Sequence, residues 1–163
     1  MKIIENYLNK EDFINLKNLL LSDEFPWFYS EKSVFEVDKS PPQFFHNFFK
    51  DHLASNFYPI LTPLIYKIKP LAIHRIKTNS TLMTSEVIEN GLHPDMNQKG
   101  FTSALYFVNT CNGYCRIGNE KIYSRENSIL FFDSDMMHTG TTCSDAPRRV
   151  IINMVYKQNE LLK

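Results

Sequence analysis

The sequence has no net charge, no long apolar run and no paired-cysteine spacing, and each absence removes a class of protein. Lysine plus arginine balances aspartate plus glutamate at 18 each, so there is no basic surplus of the kind that drives binding to nucleic acid. Lys67, Lys69, His74, Arg75 and Lys77 fall close together, and they read as scattered cations on a solvated face. No stretch nears the roughly 18 apolar residues of a membrane span. Residues 1–6 lack the apolar run and cleavage site of a signal peptide. Cys111, Cys115 and Cys143 are an odd number with no CxxC spacing, which favours neither a disulfide frame nor a zinc site. The expectation is a cytoplasmic protein with reduced, structural thiols, and no nucleic-acid or membrane partner. No internal repeat or linker interrupts the 163 residues, a length suited to one domain over 1–163 with one core.

What is present is apolar and aromatic. At 43% hydrophobic and 13% aromatic residues the chain sits in the globular class and away from the disordered one. Asn9 is placed to cap a helix whose apolar face is Phe13, Leu16, Leu19 and Leu20. Ser22-Asp23-Glu24 ends it, ahead of Pro26. The aromatic knot Phe25–Tyr29 reads as a plug at one end of the core, with a pocket wall as the sharper alternative. Ser30 to Pro42 is polar and turn-rich. Gln43–Phe49 is too aromatic for a solvent loop and packs as a strand or short turn. Its His46 has no carboxylate or second His at ligand spacing, and reads as an ordinary histidine. A second helix is expected over Phe57–Tyr66, with Ile60, Leu61, Leu64 and Ile65 inward and Pro59 in the first turn; Pro63 fits it poorly.

From Leu71 the period changes to two. Strand-like runs cover Leu71–Lys77, Leu92–Asp95, Thr102–Asn109, Ser128–Asp133, Met137–Thr139 and Arg148–Lys157. Tyr114–Ile117 and Lys121–Tyr123 flank the hairpin signal Gly118-Asn119. Thr78–Thr81 reads as a turn, and Leu82–Val87 as a strand or ordered loop. The fold class is therefore mainly β with N-terminal helices. Helical support spans about 9–70, and about eight strands over about 71–157 form a sandwich or barrel of jelly-roll type.

Four positions carry chemistry. Residues i and i+2 of a strand share a face, so His93 and Asp95 can address one ion while Pro94 turns away. His138 returns from a later strand to complete the set. Two imidazoles and one carboxylate with positions left open are the facial triad of non-haem Fe(II) oxygenases. On the terminal strand, Arg149, Ile151, Asn153 and Val155 share one face, and Arg148, Val150, Ile152, Met154 and Tyr156 the other. Both faces are apolar, so one Arg points into an interior, where a bound dicarboxylate would relieve it. The competing reading pairs Arg148 and Arg149 with Asp145 or Asp133 at a frayed strand start.

The ordered set of these motifs resembles the 2-oxoglutarate/Fe(II) oxygenases of the prolyl-4-hydroxylase-like group, in particular small versions from phages and bacteria. Phe25–Tyr29, His74–Asn79, Leu92–Asp95, Leu105–Asn109, Phe131–Ser134 with His138–Gly140, and Arg149–Met154 carry the resemblance. It implies a double-stranded β-helix core with His93, Asp95 and His138 on iron, and Arg149 on the distal carboxylate of 2-oxoglutarate. It also implies O2 as oxidant, with ascorbate as an accessory reductant. The product set is a hydroxylated C–H bond of a prolyl residue or small molecule, succinate and CO2. Members of this group usually hold the distal carboxylate with a Tyr on the strand after His-x-Asp. Here Phe107 takes that place, Tyr106 has the opposite parity, and Ser103 and Asn153 are polar residues able to compensate. Leu92 and Phe107 are expected as the apolar shell, with a hydrogen-bond acceptor orienting each His. Residues 25–49 and the Thr78–Leu92 segment are expected to shape the substrate mouth. A cupin-type metal enzyme and a non-catalytic binding module are the rival readings on the same fold.

Overall fold

A computed structural model describes residues 1–33 and 41–159; the middle of the polar stretch expected between Ser30 and Pro42 lies outside them. After a short strand β1 (Lys2–Ile4), helix α1 runs over Lys10–Leu21. The side chain of Asn9 caps it by accepting from the amide of Asp12 at 2.9 Å, satisfying a donor that the first turn leaves free. Leu16 and Leu20 are its buried residues. The second helical region divides at Pro63. A 3-10 turn covers Tyr58–Leu61, and α2 covers Thr62–Ile68, each with a proline in its opening positions. There the missing N–H breaks no helical bond, which is how one stretch accommodates two prolines.

Three further strands, β2 (Phe28–Ser30), β3 (Gln43–Lys50) and β4 (Leu53–Ala54), precede α2. After it come β5 (Ala72–Leu82), β6 (Thr102–Phe107), β7 (Tyr114–Ile117), β8 (Glu120–Tyr123), β9 (Ser128–Asp133), β10 (His138–Gly140) and β11 (Arg148–Lys157). All the strand pairings are antiparallel. The large sheet is ordered β1-β9-β6-β11-β5-β3-β2 with β4 beside β3, and a small sheet is ordered β10-β7-β8. This is a jelly-roll core backed by helices. The turn between β7 and β8 contains Gly118 at φ 56, a left-handed position that glycine adopts without steric cost.

Two of the expected secondary-structure assignments need correcting. Thr78–Thr81 is not a turn but the second half of β5, paired with β11 on one side and, through Thr78–Ser80, with β3 on the other. Its polar side chains are compatible with a central strand because Thr78 bonds the carbonyl of Ile151 at 2.9 Å and the alternate residues Asn79 and Thr81 face a cavity. Leu92–Asp95 is not a strand either: His93 makes a single antiparallel bridge to His138, and Pro94 cannot extend a ladder.

The large sheet has two distinct faces. On one, Val150, Ile152 and Met154 of β11 join Leu16, Leu20, Leu61 and Leu64 from the helices in the main core. On the other, Ile151 joins Leu105, Phe107, Cys115, Ile117, Leu130 and Phe132 in a smaller cluster beneath the small sheet. All three cysteines are free and buried. Among the described residues no helix is long and apolar enough to cross a membrane.

Candidate metal centre

The bridge between residues 93 and 138 fixes the two histidines side by side. Each backbone N–H donates to the other residue's carbonyl at 3.0 Å, and the ring centroids stand 4.7 Å apart. Asp95 is held next to them because its amide, like that of Met96, donates to the carbonyl of Ser134. One ligand atom each from His93, Asp95 and His138 lies within 4.8 Å of the others.

Both imidazoles are oriented by the same local device. The Nδ1 of His93 bonds the carbonyl of Gly91 at 2.9 Å, and the Nδ1 of His138 bonds the carbonyl of Met136 at 3.0 Å. A carbonyl only accepts, so Nδ1 carries the proton in each ring and the lone pair is on Nε2, the nitrogen available to a metal. These are the acceptors expected from the sequence, each two residues upstream of its His. Burial pushes the pKa of His138 down against the pull of Asp95, so its ring is neutral at pH 7, as a ligand has to be.

Asp95 is surrounded by donors. Its oxygens accept from Ser103 Oγ at 2.6 Å, from Asn153 Nδ2 at 2.8 and 3.0 Å, and from Arg75 at 3.2 Å. Burial raises its carboxyl pKa, but His138, Arg75, Ser103 and Asn153 more than offset that and hold it below the usual carboxylate range. Ser103 and Asn153 thus sit on the carboxylate ligand.

Arg149 lies at the other end of the same cavity. Its side chain is buried, with Nε donating to Ser124 Oγ at 2.6 Å and Nη1 reaching the carbonyl of Thr141 at 3.5 Å. Its Nη2 has no hydrogen-bond partner, and among the described residues no carboxylate pairs with it. The Phe107 ring lies 5.8 Å from its Cζ. Gly113 is needed beneath it: a Cβ there would come within 2.5 Å of Arg149 Cδ and 2.6 Å of the Thr142 carbonyl. Burial lowers the Arg149 pKa, yet a guanidinium does not deprotonate in a protein. The frayed-start reading fails, because Asp145 accepts from the Asn112 amide and Arg148 turns away to the carbonyl of Leu21.

A cavity of about 470 Å³ joins these groups, lined by His93, Asp95, His138, Arg149 and Asn153 among others. Leu105 and Ile151 supply its apolar wall. Leu92 does not, being 48% exposed. Cys115 also lines the cavity, but burial pushes its thiol up to about 12, so it offers no thiolate to compete for a metal. Of the expected mouth, Ser33, Gln43, Asn79, Thr81 and Asn90 reach the cavity. The aromatic knot does not line the cavity: Phe25 packs on Trp27, His46, Phe48 and Phe57 and plugs the core, whereas Phe28 and Tyr29 are exposed. His46 is held by the Pro26 carbonyl and Ser55 Oγ, and is no ligand.

Two residues read as solvated cations belong to the cavity: Arg75 and Lys77. Carrying the alternation of β5 through Arg75, Lys77, Asn79 and Thr81 would have found them, had the strand not been cut at Thr78. The donor set fits a divalent metal with open positions, having two imidazoles and one ionised carboxylate. The unpaired Nη2 of Arg149 fits an anionic co-substrate.

The same fold recurs in solved structures. An oxidoreductase of the 2OG-Fe(II) oxygenase family from Burkholderia pseudomallei matches with a TM-score of 0.68 at 10% identity, over 96% of this chain and 85% of that one. The viral collagen prolyl hydroxylase of Paramecium bursaria Chlorella virus-1, in its 2OG complex, gives 0.60 at 10% identity over 97% and 96%. A prolyl hydroxylase from Trichoplax adhaerens, bound to a peptide fragment of the hypoxia inducible factor oxygen degradation domain, gives 0.61 at 14% identity over 96% and 83%. At such identities the likeness is one of fold. No protein-family model and no curated protein matches the sequence.

Proposed function

We propose that this chain is an Fe(II)- and 2-oxoglutarate-dependent dioxygenase that hydroxylates a C–H bond of a small molecule or a prolyl residue. The observation that carries this reading is that the His93, Asp95, His138 cluster and the unpaired guanidinium of Arg149 line one cavity. When bound, the iron and its oxo-acid co-substrate supply oxidative decarboxylation to succinate and CO2, coupled to oxygen insertion from O2. The protein's part is positioning. His93 and His138 offer Nε2 because Gly91 and Met136 hold their Nδ1 protons. Ser103, Asn153 and Arg75 fix the Asp95 carboxylate in one orientation. Arg149 takes the distal carboxylate of 2-oxoglutarate, with Ser124 and the Phe107 face setting the guanidinium plane; Phe107 thereby supports the arginine, where a Tyr would itself bond the ligand. Leu105 and Ile151 exclude water between the two ends.

The test is Fe(II)-dependent release of succinate from 2-oxoglutarate under O2. The expected result is turnover in the wild type that is absent in His138→Ala. Equal turnover in the variant, or none in a folded wild type that has bound iron, would reject this function.

A further inference from the structure

Alternate residues of β5 face one side, and Arg75, Lys77, Asn79 and Thr81 all line the cavity. Across the ladder to β11, Lys77 lies opposite Asn153, Asn79 opposite Ile151, and Thr81 opposite Arg149. Four residues of strand, at about 3.3 Å each, put Lys77 and Arg149 about 13 Å apart along the sheet. Lys77 is at the Asn153 end, beside Asp95, and Arg149 at the other.

The cations are not equivalent. Arg75 is paired with Asp95 at 3.2 Å, and Arg149 is assigned to the co-substrate in the reading above. Lys77 has no carboxylate and no hydrogen bond among the described residues. Its ammonium lies over the Phe45 ring, 4.8 Å from the centroid, a contact that positions a charge without neutralising it. Burial and then Arg75 push its pKa down to about 8, against the pull of Asp95 and with Lys50 adding to the fall. The ammonium is still mostly charged at neutral pH. With a divalent metal on Asp95 and a doubly charged oxo acid on Arg149 the site still carries net positive charge, since Arg75 shares Asp95 with the metal, and Lys77 is the cation there with no anionic partner among the described residues.

We propose that Lys77 is a specificity-determining residue, and that the substrate is a small molecule whose carboxylate docks on the Lys77 ammonium beside the metal ligands. This rests on Arg149 being the co-substrate anchor. A single ammonium with no anionic partner of its own suits one carboxylate. A neutral peptide segment would leave the cation uncompensated in a partly desolvated site.

The test is NMR of protein carrying 13C at lysine Cε, loaded with Zn(II) and 2-oxoglutarate, with Lys77→Met identifying the Lys77 signal. Acetate and benzoate are expected to shift that signal saturably, and acetamide and benzamide to act about ten-fold more weakly or not at all. No saturable shift with either carboxylate overturns the proposal, as does saturation by inorganic phosphate alone. Direct titration of 2-oxoglutarate is the second arm. Lys77→Met is expected to leave its affinity within about two-fold, whereas a loss of about ten-fold would assign Lys77 to the co-substrate instead. Failure of zinc and 2-oxoglutarate to bind would count against the parent reading and is seen before any carboxylate is added; the carboxylate titration of the metal-free protein then still reports on Lys77.

Discussion

The two faces of the β5–β11 pair are built from the same strands and do opposite things. One face presents Val150, Ile152 and Met154 with Ile76, all buried in the main core beside the helices. The other presents Arg149, Ile151 and Asn153 with Arg75, Lys77 and Asn79 to the cavity. A period of two separates them completely, so one residue in each neighbouring pair serves stability and the next serves a site. The core face satisfies itself by burial. The cavity face holds charges and amide oxygens that the protein leaves without partners, including Arg149 Nη2 and the oxygens of Asn79 and Asn153.

Substitutions on the two faces should therefore differ in sign as well as size. Ile152 is fully buried, and Ile152→Ala is expected to cost about 2–5 kcal/mol in urea unfolding. Arg149→Met, three residues away, is expected to leave stability unchanged or raise it, because it removes a buried, unneutralised charge. A large loss of stability in Arg149→Met would mean that the guanidinium is a structural element after all. Asn153→Ala tests the cavity face at its metal end. With two of the contacts on Asp95 gone, metal affinity should fall about 10–100-fold by calorimetry, with little change in unfolding.

The smallest effect is expected at Lys77. Its pKa is depressed to about 8 from 10.5, so the folded state holds its proton less tightly than the unfolded chain. The cost of burying the ammonium is full below pH 8, shrinks as the pH rises toward 10.5, and is gone above it. Lys77→Met should therefore stabilise the protein at pH 7 by about 1 kcal/mol after solvent screening, and the gain should vanish in unfolding measured above pH 10.5.

Much of this division was legible in the sequence. The cap at Asn9, the bounds of β9 and β11, and the hairpin at Gly118 follow from local rules, and the structure reproduces them. The parity of β11 puts Arg149 and Arg148 on opposite faces, but both faces read as apolar, and only the resemblance singles out Arg149. What was not legible depends on partners distant in the chain. β1, β2 and β4 are two or three residues long and exist only by pairing with β9 and β3. Thr78–Thr81 looked like a turn because Thr, Asn and Ser suit turns as well as they suit a strand facing water. That misreading hid Arg75 and Lys77. The roles of Ser103 and Asn153 were equally hidden, since parity puts a residue in the cavity but not on a particular carboxylate.

Anaerobic titration of the Fe(II)-loaded protein with 2-oxoglutarate, followed by the visible charge-transfer band of the chelate, tests the division most directly. The wild type should develop the band, and His138→Ala should not. In Arg149→Ala the midpoint should move by about 2–5 kcal/mol, roughly thirty-fold or more in concentration. A band that forms in Arg149→Ala at the wild-type concentration, or no band in a wild type that holds iron, would contradict the assignment of this cavity face to the metal and its co-substrate.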